Sequence, residues 1–390
     1  IAKKNADPKL VDDFLAADKE WRGRLKALEE KRAQLNKLSK ERNIDEAKKV
    51  KESIKSEETQ LPELENKRLG ILRKIPNLPL PAVIIGKDES ANKTIREVGK
   101  KPEFDFPVRD YAELGEKLDL IDTARAAKVS GSRFGYLKHE APLLEFALIQ
   151  LALNFLTSEK EIKKIIKKKK LNIPPKPFIP VIPPVLIKPE SMQAMGYVER
   201  GGEEIYYIEK DQLYLVGTSE QSIGPMHMGE SFQKQNLPHR HVSFSTCFRR
   251  EAGSYGKDTK GILRVHQFDK LEMFVTCTPE TSKDEHQLLL GIEEKLMQML
   301  ELPYRVLDIA SGDLGDPAAA KYDIEVWLPG QNEGKGQYRE THSTSNTTDY
   351  QARRLGVKIK PDNAYAHMLN GTCFAIGRIL IAIIENYQQK

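Results

Sequence analysis

Apolar side chains recur along the first fifth of the chain in alternating steps of three and four. From Ala47 the series runs Val50, Ile54, Glu57, Leu61, Leu64, Arg68, Ile71 and Ile75. A matching series precedes it at Phe14, Ala17, Trp21, Leu25, Leu28, Arg32 and Leu35. Such heptad spacing predicts a coiled-coil seam between two helices, with Asn43, Ile44 and Asp45 expected to form the turn. Two helices of roughly 30 residues at about 1.5 Å per residue make an arm on the order of 45 Å long, which cannot be a globular core. Pro62 falls inside the second helix and is expected to kink or interrupt it. Repeated prolines in IPNLPLP, Ile75 to Pro81, end the arm and predict a domain boundary.

Beyond that boundary the pattern changes. A helical stretch from Glu140 to Leu156 is mixed with short β-like runs at Ile205–Ile208, Leu213–Val216, Val242–Thr246 and Tyr322–Trp327. No regular βαβ repeat appears, so the expectation is an α+β fold: a mostly antiparallel sheet with helices packed on it. The division expected is an arm over 1–75, a linker and start of the main domain over 76–127, and the main domain over 128–390.

Composition narrows the class. The 390 residues are 39% hydrophobic with 7% aromatics, enough for two or three domains. The apolar run Phe374 to Ile384 is interrupted by Arg378 and too short to span a bilayer. No signal peptide is expected. A cytoplasmic location is expected, with an organelle matrix as the alternative and no membrane partner. Ends at Ile1 and Lys390 suggest a chain trimmed at both termini. Cys247, Cys277 and Cys373 are far apart, with no CxxC, so neither disulfides nor zinc are expected. His239 and His241 read as surface histidines. The net charge of +5 is concentrated in the arm, where residues 1–75 hold 20 Lys and Arg against 15 Asp and Glu. Lysines 163, 164 and 167–170 surround Ile162, Ile165 and Ile166 at helical spacing; a surface helix with solvated lysines is favoured over an RNA contact.

The candidate chemistry lies in STCFRREAGSYGKDTKGILRVHQFDKLE, Ser245 to Glu272. If it is a hairpin, Cys247, Arg249 and Glu251 share a face, and so do Arg264, His266, Phe268, Lys270 and Glu272. An aromatic interleaved with cations and carboxylates suits a flat heterocycle, a phosphate and a small zwitterion. A solvated edge hairpin fits the spacing equally well. Neither a GxxxxGK[ST] phosphate loop nor a strand followed by GxGxxG is present, so any ATP must be held by other means.

Seven ordered blocks carry a resemblance over nearly the whole length: the arm with IPNLPLP, KVSGSRFGYL at Lys128–Leu137, FIPVIPPVL at Phe178–Leu186, GTSE at Gly217–Glu220, CFRREAG with RVHQFDKLE, RETHSTSNTTDYQARR at Arg339–Arg354, and LNGTCFAIGR at Leu369–Arg378. Together they resemble the bacterial-type seryl-tRNA synthetases, class II aminoacyl-tRNA synthetases. The resemblance implies a helical tRNA-binding arm, a class II antiparallel sheet, and motifs 1, 2 and 3 near 178–187, 245–272 and 369–385. Motif 1, around Pro183 and Pro184, implies a homodimer interface.

The resemblance further implies roles. Arg249 would bridge the ATP α-phosphate and the serine carboxylate, Glu251 would accept from the adenine amino group, and Phe268 would stack on the base. Arg250, Val265, His266, Gln267, Thr341 and His342 complete the implied ATP site. Glu272 would bind serine with Thr218, Ser219, Glu220, Asn370 and Thr372; relatives usually carry alanine at the Ser219 position and commonly serine at the Thr372 position. Glu340 and Ser343 would hold a catalytic Mg²⁺, and Arg378 would face the adenine and γ-phosphate. An arginine in an apolar helix requires an anionic partner in any case. The Gly253–Gly261 loop would approach the tRNA acceptor end. The implied substrates are ATP, L-serine and tRNA(Ser), with tRNA(Sec) a further candidate. A non-catalytic RNA-binding paralogue is the competing reading, although Arg249, Glu272, Glu340 and Arg378 are all retained.

Overall fold

The structure is a computed structural model that describes residues 1–252, 258 and 260–389. The chain divides into two compact units, Ile1–Pro76 and Asn77–Lys390.

The first unit is a pair of helices, α1 (Lys9–Lys40) and α2 (Ile44–Arg73). Leu28 of α1 and Ile54 of α2 are buried, and Ala17, Trp21, Leu25, Leu61 and Leu64 are at least partly covered, so the heptad does form the seam. Three expectations shift. The seam of α1 passes through Lys31, while Arg32 is exposed and pairs with Glu58 at 2.6 Å. The turn is Glu41–Asn43; Ile44 and Asp45 already belong to α2, and Asn43 is its cap, accepting from the Glu46 amide. Pro62 does not interrupt α2. It lies on the exposed face, where the carbonyl it leaves without a donor can be hydrated. Charged groups also cross the seam: Lys31 and Arg24 reach Glu57 at 3.0 and 3.1 Å. Arg68 bonds Asp18 at 2.9 Å and stacks 4.2 Å from the centroid of Trp21.

The second unit is built on an eight-stranded sheet: β1 (Lys93–Val98), β2 (Ile179–Val181), β3 (His239–Phe248), β4 (Gln267–Cys277), β5 (Tyr304–Asp308), β6 (Ala320–Leu328), β7 (Gln337–Thr348) and β8 (His367–Ala375). Its spatial order is β1-β5-β6-β7-β8-β4-β3-β2. Every pairing is antiparallel except the edge pair β2–β3. This is the α+β architecture that the absence of βαβ repeats implied. Helices α3 (Glu140–Leu156) and α4 (Glu159–Lys169) place Leu148, Leu156, Ile162 and Ile165 in the main core. On β4, Leu271, Met273 and Val275 point into the same core with Leu288, Ile292 and Leu296 of helix α5 (Ser282–Met299). Lys270 and Glu272, one step out of phase, face the opposite side. Helix α6 (Ile376–Asn386) closes the core through Ile379, Leu380 and Ala382.

The lysine run lies on a helix, Glu159–Lys169, whose Ile162, Ile165 and Ile166 are buried while Lys163, Lys164, Lys167 and Lys168 are exposed. His241 is not a surface residue. It is 6% exposed, and its ring lies 6.2 to 6.4 Å from those of His227 and His239. Pro183 and Pro184 fall between β2 and the short strand Leu186–Ile187. No single helix among the described residues is long and apolar enough to cross a membrane.

Candidate active site

The cleft on the outer face of β4 spans about 560 Å³, its opening to solvent included. Phe268 and Lys270 enter it from β4, Thr372 from β8, Glu340 and Thr341 from β7, and Arg378 from the first turn of α6. Arg249, just past β3, and Glu251, Arg264 and Val265 also line it. Residues far apart in sequence thus meet because β8 and β4 are neighbours and β7 lies beside β8. Bulges refine their aim. The register slips between Leu271 and Glu272, which brings Thr372 opposite Glu272, with Thr372 Oγ1 3.4 Å from Glu272 Oε2.

Arg249 is fixed from two sides. Its Nε donates to the carbonyl of Gly217 at 3.1 Å, and its guanidinium carbon lies 5.3 Å from the Phe268 centroid. That bond ties the GTSE loop to the hairpin, as does the 2.6 Å contact between the hydroxyls of Ser219 and Ser243. Ser219 is fully buried in this contact and braces the loop. Thr218 Oγ1 is buried without a hydrogen-bond partner among the described residues, a polar atom that a ligand would satisfy.

The charges in the inner part of this site are unequal. Glu220 and Glu272 are 4% and 1% exposed. Burial pushes the Glu220 carboxyl up to about 7, with the charge of Glu272 adding to it. Burial also raises the Glu272 carboxyl, against the pull of Lys270, its direct ion-pair partner, and of Arg249. Two buried carboxyls beside one lysine leave a place for a second cation. A guanidinium nearby offers a fork for a carboxylate. The combination suits a zwitterionic amino acid.

At the outer end, Arg378 Nη1 donates to the Glu340 carbonyl at 3.0 Å and lies 3.6 Å from its carboxylate. Packing around Glu340 works to raise its carboxyl, but Arg378, Lys321, Arg249 and Arg264 outweigh it and hold the group below the usual carboxylate range. Glu340 therefore stays ionised, and its side chain is 46% exposed. The register slip that pairs Glu325 with Glu340 and Asp323 with Ser343 puts Glu340 and Ser343 on one face of β7, and an ionised carboxylate with a hydroxyl is a hard oxygen set that fits Mg²⁺. Among the described residues no group of three His, Cys, Asp or Glu could hold a metal ion by itself.

Some residues expected at the ATP site point elsewhere. Arg250 bonds the Ile205 carbonyl and covers Tyr206. The ring of His266 accompanies Phe134 and Tyr206, with Nδ1 2.9 Å from the Arg249 carbonyl. Strand alternation fails there because β4 starts only at Gln267, and Gln267 itself opens onto a neighbouring hollow with Phe134 and Glu145. His342 is fully buried against Phe374. Asn370 is buried beside Thr372 on β8, paired with Ser345. Most of the Gly253–Gly261 loop lies outside the described residues.

Sequence reasoning passed over Tyr197, whose hydroxyl donates to Glu220 at 2.5 Å, and the half-buried Lys321 paired with the buried Asp323 at 3.0 Å. Asp323 sits opposite Ser343. The spacing of two in Lys321 and Asp323 carried that signal; nothing in the sequence marked Tyr197.

A largely antiparallel sheet whose cleft holds an arginine and a phenylalanine, with buried carboxyls beside it and a second arginine on the following helix, defines a class II aminoacyl-tRNA synthetase core. Residues 205–387 match the tRNA synthetase class II core domain (G, H, P, S and T), and residues 1–79 match the seryl-tRNA synthetase N-terminal domain. The chain belongs to the seryl-tRNA synthetase family. It is 44% identical to the serine–tRNA ligase of Acidothermus cellulolyticus, over 98% of this chain and 89% of that one. It is 42% identical to that of Dictyoglomus turgidum, over 100% and 91%. Among solved structures, seryl-tRNA synthetase from Pyrococcus horikoshii complexed with ATP superposes with a TM-score of 0.84 at 37% identity, covering 97% of this chain and 88% of that one. The cytoplasmic serine–tRNA ligase from Naegleria fowleri in complex with AMP gives 0.83 at 33%, covering 99% and 88%.

Proposed function

We infer that this chain is a serine–tRNA ligase that joins L-serine to ATP as seryl-adenylate and then transfers the seryl group to the 3′ end of tRNA(Ser). The observation that supports this best is that Arg249 and Phe268 share one cleft while the buried carboxyls of Glu272 and Glu220 lie beside its Lys270, in a chain of this family.

In the first step a serine carboxylate oxygen attacks the α-phosphorus and pyrophosphate leaves. Arg249 grips carboxylate and α-phosphate together, which lowers the entropy cost of their approach and stabilises charge as the bond forms. Glu272 and Glu220 take the ammonium group, and Thr218, Asn370 and Thr372 complete the serine pocket. Phe268 provides the stacking face for adenine, Glu251 accepts from its amino group, and Arg378 answers the charge of the outer phosphates. Glu340 and Ser343 are the residues that would hold Mg²⁺, which supplies charge neutralisation on the phosphates when bound. In the second step a ribose hydroxyl of the tRNA attacks the acyl carbon and AMP departs. No protein nucleophile is required in either step.

The arm, rich in lysine and arginine, is assigned to the extended variable arm of the tRNA, read by shape and backbone. tRNA(Sec) is a candidate second substrate, and a homodimer in the cytoplasm or an organelle matrix is the proposed working form. Leu143 and Phe146, 69% and 67% exposed, and Ile182, 85% exposed, supply apolar surface for such an interface. Charging of a tRNA(Ser) transcript with radiolabelled serine tests the function. Acid-precipitable product is the expected result, and none from folded protein that binds the tRNA would favour the non-catalytic paralogue.

A further inference from the structure

Tyr197 follows the short helix Pro189–Met195, which ends on Gly196 at φ 84°. A Cβ at Gly196 would lie 2.8 Å from Cε1 of Tyr350, so this turn requires glycine twice over. The turn delivers the Tyr197 ring between two apolar clusters, one containing Met195 and Ile223, the other Met192 and Val216. A ring wedged between packed groups has little freedom to swing. Its hydroxyl donates to Glu220 Oε1 at 2.5 Å, within the charge-assisted range. Burial keeps the phenol protonated far above its usual range, so it remains a donor at any working pH.

We propose that Tyr197 is a positioning residue for amino-acid binding: by occupying one oxygen of Glu220, it fixes that carboxylate with the other oxygen presented to the ammonium group of the substrate. The inference rests on Glu220 belonging to the serine pocket, as argued above. Two effects follow from one hydrogen bond. The carboxylate is held in a single orientation, and its charge is retained in a buried setting. Glu220 faces Glu272 and Lys270 from β4, with Tyr197 and Gln351 on its other flanks; Arg249 lies within electrostatic reach of both Tyr197 and Glu272. Of these, Glu272 favours protonation of Glu220, whereas Lys270, Tyr197 and Gln351 oppose it. Without the phenol the balance moves toward the neutral acid, which cannot pair with an ammonium group.

The test is serine-dependent ATP–pyrophosphate exchange by the full chain and by Tyr197→Phe, which keeps the packed ring. The serine KM is expected to rise about tenfold, the usual worth of a hydrogen bond to a charged group, with the ATP KM unchanged and kcat within about twofold. As pH falls from 8 to 6, the serine KM of Tyr197→Phe should begin to climb at a higher pH than that of the unsubstituted chain. A purely structural role would move ATP and serine KM together and leave that profile in place. On a Glu220→Gln background Tyr197→Phe should add nothing. An unchanged serine KM and profile, or an additive effect in the double variant, would overturn the inference while leaving the serine–tRNA ligase reading intact. Absence of serine-dependent exchange in the unsubstituted chain would overturn that reading and this inference with it.

Discussion

Arg378 and Glu340 are joined twice, by a 3.0 Å hydrogen bond to the backbone carbonyl and by a 3.6 Å contact with the carboxylate. The pair locks the start of α6 to β7 at the outer end of the cleft. It also resolves the difficulty of an arginine in an apolar helix, because the charge emerges beside its anion.

Replacing Arg378 by lysine keeps the charge and loses the fork. Exchange should fall about 100-fold, in the range for loss of one preorganised charge stabiliser. The loss should appear in kcat and the ATP KM, with the serine KM nearly unchanged. Steady-state kinetics with each substrate varied would check this.

Arg240 and Glu285 form a fully buried pair, 2.7 Å apart, and Arg240 also donates to the carbonyls of Pro174 and Lys176. Arg240→Ala would strand the Glu285 carboxylate in the interior. A destabilisation of about 3–5 kcal/mol is expected, read as a lowered denaturation midpoint, and Glu285→Ala should cost as much. Neither lies in the cleft.

Burial holds His241, His286 and His342 each down at about 4, and for His241 the neighbouring His227 and His239 add to the effect. Each folded-state value lies below the unfolded one, about 6.5. The unfolded chain therefore takes up protons first as pH drops. Stability contributed in this way is flat above pH 6.5 and lost between 6.5 and 4, by up to about 1.4 kcal/mol per pH unit for each imidazole. Thermal melts from pH 7.5 to 5 should show this decline, and His286→Gln should make it shallower.

Glu293 is fully buried with both carboxylate oxygens unpartnered among the described residues. Burial, with Glu272, Asp323 and Glu294 nearby, raises its carboxyl well above the usual range. For a raised acid the folded chain keeps a proton that the unfolded chain loses above about 4.5. Stability therefore falls as pH rises from there toward the folded value. Glu293→Gln should remove that loss, and its advantage over the unsubstituted chain should grow from pH 5 to 8 in denaturant titrations.

Local periodicity made the arm and the hairpin legible, because heptads and strand alternation are written within a few residues of each other. It failed where a one-residue choice depended on the partner: Lys31 rather than Arg32 enters the seam, since Lys31 meets Glu57 while Arg32 turns outward to Glu58. Alternation also failed at His266, where the strand had not yet begun. Tyr197 with Glu220, and Arg240 with Glu285, are bonds across 23 and 45 residues that no spacing rule can express. Asn77 is a further case: from within the proline-rich segment its amide donates to the carbonyls of Pro317 and Thr347, a contact set by tertiary closure.

The central claim is that this cleft activates serine with ATP, with Arg249 bridging carboxylate and phosphate. Serine-dependent ATP–pyrophosphate exchange with Mg²⁺, beside threonine, alanine and glycine and with Arg249→Ala in parallel, tests it most directly. Exchange with serine, little with the other three, and loss in the variant is the predicted result. Full exchange by Arg249→Ala, or none from the folded unsubstituted chain, would contradict the account.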